Sequence, residues 1–269
     1  MKLGWRLLRQ LPHDLENDPI VERLTRRQGP SWQRVRWLAV AVGVANLASE
    51  ALIIALSPSP LLWAHLAINQ AVIVVGPVVL ALMAASLTAA AVAREPFDLV
   101  LLTPVTEERL VWGYYLAALY RMRPLIAVLL GLTASQAVWW VLASLGATSL
   151  VIPQFAGSLI VLAPAILPTL LWPIGGCGML FVAVAAGVRT ALRWRRHLAG
   201  PLLAVPNMLA LSVASPAMAL VVWWWLLSYG AIAICTASWL PLGISLIGLL
   251  ITDALLARQL ELAAQQLRP

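Results

Sequence analysis

The sequence predicts an all-α, polytopic membrane protein, built as a bundle of six transmembrane helices. Three observations lead to this fold class. The 269 residues are 62% hydrophobic and only 11% charged, whereas soluble domains are about 45–50% apolar and about 25% charged. The apolar residues gather in six long runs. The basic residues gather in the connections between those runs, and only in alternate connections.

Each of the six runs is long enough to cross a bilayer, which takes about 20 apolar residues in a helix. They cover approximately residues 35–56, 68–93, 125–145, 155–188, 202–227 and 238–257. The fourth run is too long for one simple span, and it contains Pro164, Pro168 and Pro173. Because a proline removes one backbone hydrogen bond, we expect this helix to be kinked, or broken into an interfacial piece and a span from about Leu170.

The basic residues predict the orientation of the bundle. Of the 18 Lys and Arg residues, eight precede or begin the first run, four lie between the second and third runs, four between the fourth and fifth, and two follow the sixth. By the positive-inside rule, both termini lie in the cytoplasm, in a protein of the cytoplasmic (plasma) membrane. Tryptophans at the opposite ends of the runs fit an outer aromatic belt. They are Trp63, Trp139, Trp140, Trp223, Trp224, Trp225 and Trp239.

Residues 1–34 form an amphipathic segment ahead of the transmembrane domain, which covers residues 35–269. Leu3, Leu7, Leu8 and Leu11 recur at helical spacing, with basic residues between them. This pattern is typical of short helices that lie in the cytoplasmic interface of a membrane. An unstructured basic tail is the alternative.

Several classes of function do not fit this sequence. The net charge of +7 does not indicate a nucleic-acid partner, because the charges flank apolar runs instead of lining a soluble groove with aromatics. The histidines His13, His65 and His197 are too scattered for a metal site, with His65 expected in the first outer connection. No catalytic constellation and no cofactor motif is apparent. The ATP-binding motif GxxxxGK[ST] is also absent from the sequence, so any ATP must be bound by another chain.

The segment between the second and third runs is unusual, since it carries eight charges and its own short apolar stretch, Phe97 to Leu102. Pro96 suits the first turn of a helix and Asp98 favours the helix dipole. Thr103-Pro104 would end that helix. Thr106 is a candidate N-cap for a second helix, which we expect to reach about Met122 and to enter the third span through a bend at Pro124.

The stretch from Phe97 to Thr106 (FDLVLLTPVT), with Glu108 to Gly113 (ERLVWG) after it, resembles the coupling-helix region of type-2 ABC transporter permeases. Six spans, cytoplasmic termini and an amphipathic N-terminal helix are similar to that family as well. A second similarity is Gly187-Val188-Arg189-Thr190-Ala191, at the cytoplasmic end of the fourth span.

The resemblance implies that the segment from about 95 to 104 is a coupling helix, which docks into a groove of a cytoplasmic ATP-binding subunit. It also implies a membrane-embedded dimer with a second permease, identical or different, and an exporter function with an unknown substrate. The residues implied to couple the two subunits are Glu95, Phe97, Asp98, Leu99, Val100, Leu101, Leu102, Thr103 and Pro104. The alternative is a surface helix that packs only against its own bundle.

Two departures from the family favour a second hypothesis. The family commonly has Glu-Arg/Lys-Gly-Thr ahead of the acidic residue, and this chain has Ala93-Arg94-Glu95-Pro96 there. The outer connection before the sixth span is also brief. The second hypothesis is a non-transporting accessory subunit, which uses a permease-like fold to scaffold a larger membrane complex.

Polar residues inside the runs are the remaining candidates for a site. Glu50 lies within the first run, where a charged carboxylate costs about 2.5–3.5 kcal/mol, and Asn46 precedes it by four residues. We interpret these two as a candidate pathway or interface; the alternative is a carboxyl group near the outer surface that hydrogen-bonds Ser49 or Asn46. Asn69, Gln70, Gln136 and Asn207 could form hydrogen bonds between helices. Asp253 and Arg258 are expected to form a local ion pair.

Overall fold

The computed structural model describes residues 31–56, 60–94, 107–151, 159–194, 201–210 and 240–267. Within these ranges all regular structure is helical. We number the helices α1 (Trp32–Leu56), α2 (Pro60–Arg94), α3 (Glu107–Val151), α4 (Leu159–Arg193), α5 (described over residues 204–210) and α6 (Leu240–Gln265).

Four helices in the described part of the chain contain stretches long and apolar enough to cross a membrane. These stretches are Gln33–Leu56, Pro60–Ala93, Arg109–Trp139 and Gly175–Arg193. The prediction of an all-helical, multi-pass membrane protein is therefore confirmed. The count of six spans stays a prediction, because most of the fifth run lies outside the described residues.

The boundaries of α1 and α2 correct one prediction. The first helix ends at Leu56, as the Ser-Pro-Ser-Pro sequence after it indicated. The second begins at Pro60, well before the predicted start at residue 68. Proline is favoured in the first turn of a helix, where its missing N–H is not needed. As a result His65 lies inside α2, and its predicted position in the outer connection is wrong.

The prolines interrupt α3 and α4 less than the sequence suggested. Instead of ending near Met122, the helix that starts at Glu107 continues through Pro124 to Val151. The helix α4 is likewise unbroken through its three prolines, from Leu159 to Arg193. Proline is tolerated inside membrane helices because neighbouring helices and polar side chains satisfy the freed backbone groups. The last helix extends to Gln265, beyond the predicted end of the sixth span.

Contacts between helices fix their relative directions. On α1 and α3, Gly43 lies against Gly131 and Asn46 bonds Ser135, so the two helices run parallel. On α2 and α3, Gly76 lies against Leu129 and Gln70 bonds Gln136, so these two run antiparallel. On α4, Gly176 lies against Thr133 of α3 and Gly187 lies against Ala81 of α2, so α4 runs parallel to α2. On α6, Thr252 lies against Gly178 and Gln259 bonds Arg189, so α6 runs parallel to α4. The starts of α1 and α3 therefore share one end of the bundle with the ends of α2, α4 and α6.

The arginines of the described part lie toward this shared end, which we call the arginine end. When residues are counted along each helix from these contacts, Arg36, Arg123 and Arg189 lie at the same depth in the bundle to within about one helical turn. Arg123 is only 2% exposed, and its guanidinium carbon lies 3.8 Å from the ring centre of Tyr120. An arginine layer at a single depth is what the positive-inside rule predicts for the cytoplasmic interface.

The helices α2 and α3 continue past the arginine level. Leu82 of α2 is level with Arg123, and α2 extends to Arg94, about 15–20 Å further at 1.5 Å per residue. The two helices stay packed over this extension, where Leu87, Thr88 and Ala91 of α2 face Tyr114, Ala117, Ala118 and Arg121 of α3 across a small cleft. The connection at residues 95–106 therefore begins and ends on a pair of helices that projects from the arginine end.

The apolar core occupies the half of the bundle at the arginine end and is rich in small residues. Gly187 of α4 crosses α2 so closely that a Cβ atom there would overlap the carbonyl oxygen of Ala81 and come within 2.8 Å of the Ala84 Cβ. Ala81, Ala84, Ala85 and Ala183 are fully buried. Small residues of this kind let the backbones of membrane helices approach each other.

The helix α1 is the most peripheral of the four candidate spans. Only 17% of its span is buried in the protein, against 61% for the span in α4. Trp37, Leu52 and Leu56 are exposed to 66%, 58% and 75%. A face this apolar requires a non-aqueous neighbour, either lipid or another membrane subunit.

Candidate functional site

The predicted coupling residues, from Glu95 to Pro104, lie outside the described residues. The structure describes the two helix ends that hold this connection, Arg94 at the end of α2 and Glu107 at the start of α3. Both belong to the arginine end. The N-terminal amphipathic segment, residues 1–30, also lies outside the described residues.

The two other predicted site residues, Glu50 and Asn46, are buried and lie one turn apart on α1. Glu50 is 1% exposed and Asn46 is 8% exposed. They face α2 and α3, where they meet buried polar side chains. We call this group the polar cluster; it consists of Asn46, Ser49, Glu50, His65, Asn69, Gln70, Ser135 and Gln136.

Three side-chain amides from three helices donate hydrogen bonds to one oxygen of Glu50. The Oε1 atom accepts from Asn46 Nδ2 of α1 at 2.9 Å, from Gln136 Nε2 of α3 at 3.1 Å and from Asn69 Nδ2 of α2 at 3.5 Å. Gln136 also accepts a hydrogen bond from Gln70 Nε2, at 3.2 Å. A single carboxyl group thus joins α1, α2 and α3.

Asn46 is the second centre of the cluster, because both polar atoms of its side-chain amide form hydrogen bonds. Its Nδ2 donates to Ser135 Oγ at 3.0 Å as well as to Glu50, and its Oδ1 accepts from Asn69 Nδ2 at 2.9 Å. Because the nitrogen side meets acceptors and the oxygen side meets donors, the amide orientation is consistent with all of its neighbours.

His65 connects the cluster to the protein surface. Its side chain is 25% exposed, and its Nε2 lies 3.1 Å from Asn46 Oδ1, 3.2 Å from Ser49 Oγ and 4.0 Å from Glu50 Oε1. Ser49 Oγ donates its own proton to the carbonyl oxygen of Asn46, at 2.7 Å. Both hydrogen-bond neighbours of Nε2 are therefore acceptors, which assigns the proton of a neutral His65 to Nε2.

The second oxygen of Glu50 differs from the first. Among the described residues no group hydrogen-bonds Oε2, although it is buried. Burial of an uncompensated negative charge is costly in a membrane. The described donors converge on Oε1, the oxygen that would serve as the carbonyl acceptor if Glu50 were a neutral carboxylic acid.

The depth of the cluster follows from its position on α1. Glu50 lies fourteen residues beyond Arg36 on the same helix, which is about 20 Å at 1.5 Å per residue. The hydrocarbon core of a bilayer is about 30 Å thick. The cluster therefore lies in the membrane half remote from the arginine end.

The sequence indicates Glu50 and Asn46 and, as one alternative, their hydrogen bond, but it does not indicate that His65 and Ser135 belong to the cluster. The spacing of His65 and Asn69 is the same four residues as that of Asn46 and Glu50. Two such pairs on adjacent helices are a signal that could have linked them. The ion pair expected between Asp253 and Arg258 is not the one formed: Arg258 Nη1 lies 3.0 Å from Glu261 Oε2.

Comparisons of the chain with known proteins give no further guide to this cluster. No protein-family model, no curated protein and no solved structure matches the chain. Among the described residues, no three His, Cys, Asp or Glu side chains lie close enough together to hold a metal ion.

Proposed function

We propose that the chain is the membrane-spanning subunit of an ABC exporter, powered by a separate ATP-binding chain. The observation that carries this proposal is the position of the connection 95–106. Its sequence resembles a coupling helix, and its two ends sit on α2 and α3 where these helices project past the arginine level. A docking element for a cytoplasmic partner would be held by helix ends that lie at the positively charged face, as Arg94 and Glu107 do.

The two projecting helices also connect the proposed docking element with the polar cluster, so that a movement at one end can reach the other. The helix α2 has 35 residues and α3 has 45, so each reaches from the proposed docking element to the polar cluster. Asn69 on α2 and Gln136 on α3 both bond Glu50 there. Movement of α2 against α3 at the arginine end would change these hydrogen bonds, and the cluster thereby becomes the candidate pathway or gate.

A second permease, of the same or another sequence, completes the proposal. ABC exporters of the resembled family work as pairs, and α1 presents a wide apolar face with Trp37, Leu52 and Leu56 exposed. The proposed location is the cytoplasmic membrane, with both termini in the cytoplasm. Lipid covers the rest of the apolar surface.

The alternative is an accessory subunit that scaffolds a larger membrane complex without transport. The sequence Ala93-Arg94-Glu95-Pro96 favours it, because the Gly-Thr that the resembled family has there is missing. In that case the connection 95–106 would dock on a membrane or cytoplasmic partner that does not hydrolyse ATP.

Purification of the tagged chain from native membranes tests the two functions against each other. The transporter proposal predicts copurification of an ATPase with Walker motifs. Copurification of pigment or electron-transfer subunits, at one copy of this chain per complex and without an ATPase, would replace it with the scaffold proposal.

The variant Leu101→Asp tests the coupling role directly. A charge in the apolar stretch should prevent docking, so ATPase activity should no longer drive transport while the bundle stays folded. Leu61→Asp is the matched control, because it places the same charge on an exposed residue at the opposite end of α2. An unchanged transport rate in Leu101→Asp would exclude the coupling role.

A further inference from the structure

A second polar feature lies at the arginine end, outside the polar cluster and the connection 95–106. It is a cleft of about 210 Å³ between the end of α4 and the start of α5, which we call the arginine cleft. Its lining residues are Arg189, Thr190, Arg193, Trp194, Leu203 and Asn207.

Within the described part of the chain, the two arginines that line this cleft have no acidic partner. Arg189 and Arg193 are four residues apart on α4, a spacing that places like charges next to each other and is unfavourable in an isolated helix. Arg258 of α6 lies within electrostatic reach of Arg189, but it pairs with Glu261 and does not line the cleft. The sequence contains no Asp or Glu between Glu108 and Asp253, and no carboxylate of the described residues lies within ion-pair distance of Arg189 or Arg193.

The contacts of the arginines position them without neutralising them. Arg189 Nη1 donates to Gln259 Oε1 at 2.8 Å, and Gln259 is uncharged and 4% exposed. The Arg193 guanidinium carbon lies 5.7 Å from the Trp194 ring centre, within the range of a cation–π interaction. Asn207 Nδ2 donates to Thr190 Oγ1 at 3.4 Å, which links α5 to α4 across the cleft.

The surroundings of the cleft are those of a membrane interface. Arg189 belongs to the arginine level. Leu202 and Leu203, at the turn before α5, are 66% and 37% exposed, and Trp194 is 37% exposed. Tryptophan at headgroup depth and basic pockets between membrane helices are features of lipid-contacting surfaces.

We propose that the arginine cleft binds the phosphate of an anionic phospholipid from the cytoplasmic leaflet. The guanidinium groups of Arg189 and Arg193 donate charge-assisted hydrogen bonds to the phosphate oxygens. The acyl chains lie along Leu202 and Leu203. A soluble phosphate compound would offer the same phosphate oxygens, but it would leave the exposed Leu202 and Leu203 without an apolar neighbour. This inference does not depend on the proposed transport function.

Native mass spectrometry of the detergent-solubilised chain tests this site with defined lipids. We expect the chain to retain phosphatidylglycerol in preference to phosphatidylcholine, and Arg193→Gln to reduce the retained phosphatidylglycerol by at least fivefold. Arg258→Gln is the matched control: it removes one charge at the same end of the bundle, from a residue that pairs with Glu261 and does not line the cleft. It should retain the lipid as the unmodified chain does.

Three outcomes would overturn the proposal. Equal retention of the two lipids would show that charge does not select the ligand. Equal losses in Arg193→Gln and Arg258→Gln would show a general charge effect instead of a site. Displacement of the lipid by millimolar inorganic phosphate would assign the cleft to a soluble phosphate compound. An unchanged melting temperature of Arg193→Gln shows that any loss of lipid does not come from unfolding.

Discussion

The crossing of α2 with α4 and the polar cluster join helices in opposite ways. At the crossing, Gly187 lies directly on the α2 backbone at Ala81, and the nearest atoms of α2 belong to the backbone or to the Ala84 Cβ. In the polar cluster, α1, α2 and α3 meet through amides that surround the Glu50 carboxyl. In a membrane both solutions are needed, because water does not drive apolar helices together and buried polar groups must find partners within the protein.

The two regions differ in what they require of each residue. At a contact between two backbones, one added side-chain atom destabilises the protein, because the facing backbone cannot move aside locally. A hydrogen-bonded cluster fails when an acceptor is removed, and its loss is graded by the number of donors left without a partner. Substitutions that add atoms at the crossing and substitutions that remove acceptors from the cluster therefore test this difference.

The largest expected effect comes from Gly187→Ala. The new Cβ would overlap the Ala81 carbonyl oxygen, so α2 and α4 must separate. We expect a loss of about 2–3 kcal/mol of stability, as for other overpacked sites, measured by thermal unfolding in detergent. Gly248→Ala is the control, because nothing lies within 4 Å of a Cβ there. Equal melting temperatures of the two variants would contradict the tight crossing.

A smaller loss is expected for Glu50→Leu, which removes the acceptor of three amide donors. Interhelical hydrogen bonds in membranes are worth about 0.6 kcal/mol each on average, so the variant should lose about 2 kcal/mol. Glu50→Gln keeps the carbonyl acceptor and should unfold close to the unmodified chain. If Glu50→Gln is as unstable as Glu50→Leu, a carbonyl acceptor alone does not stabilise the cluster, and a negative charge on Glu50 is required.

The smallest effect in this series is expected for Ser135→Ala. This change removes one hydrogen bond of Asn46, at 3.0 Å, and leaves the three donors to Glu50 in place. A loss of about 0.5 kcal/mol should follow. A loss as large as that of Glu50→Leu would make Asn46 and Ser135, instead of Glu50, the centre of the cluster.

The same comparison explains what could be predicted from the sequence. The polar cluster was partly visible, because Asn46 and Glu50 stand out in an apolar run at helical spacing. Ser135 was not, since it is 89 residues away from Asn46 and the pairing depends on how α1 and α3 are aligned. The tight crossing was not visible either: Gly187 belonged to a recognised motif, but nothing in the sequence indicates that Ala81 is its neighbour.

The charge pattern was more informative than the prolines. The alternation of basic connections predicted a common arginine end, and the described arginines lie toward one end of the bundle. Pro124 predicted a boundary that α3 does not have, because a membrane helix that is packed on its neighbours continues through a single missing hydrogen bond. His65 was misplaced for a related reason, since Pro60 begins α2 where the sequence suggested a loop.

The proposed transport function requires the connection between α2 and α3 to engage an ATP-binding subunit at the arginine end. The most direct measurement is photo-cross-linking in intact native membranes, with a photoreactive residue in place of Leu101 and, as the control, in place of Leu61. We expect the probe at position 101 to capture an ATPase with Walker motifs and the probe at position 61 to capture none. Capture of lipid alone at 101, or of the same partners at both positions, would contradict the proposed transport function.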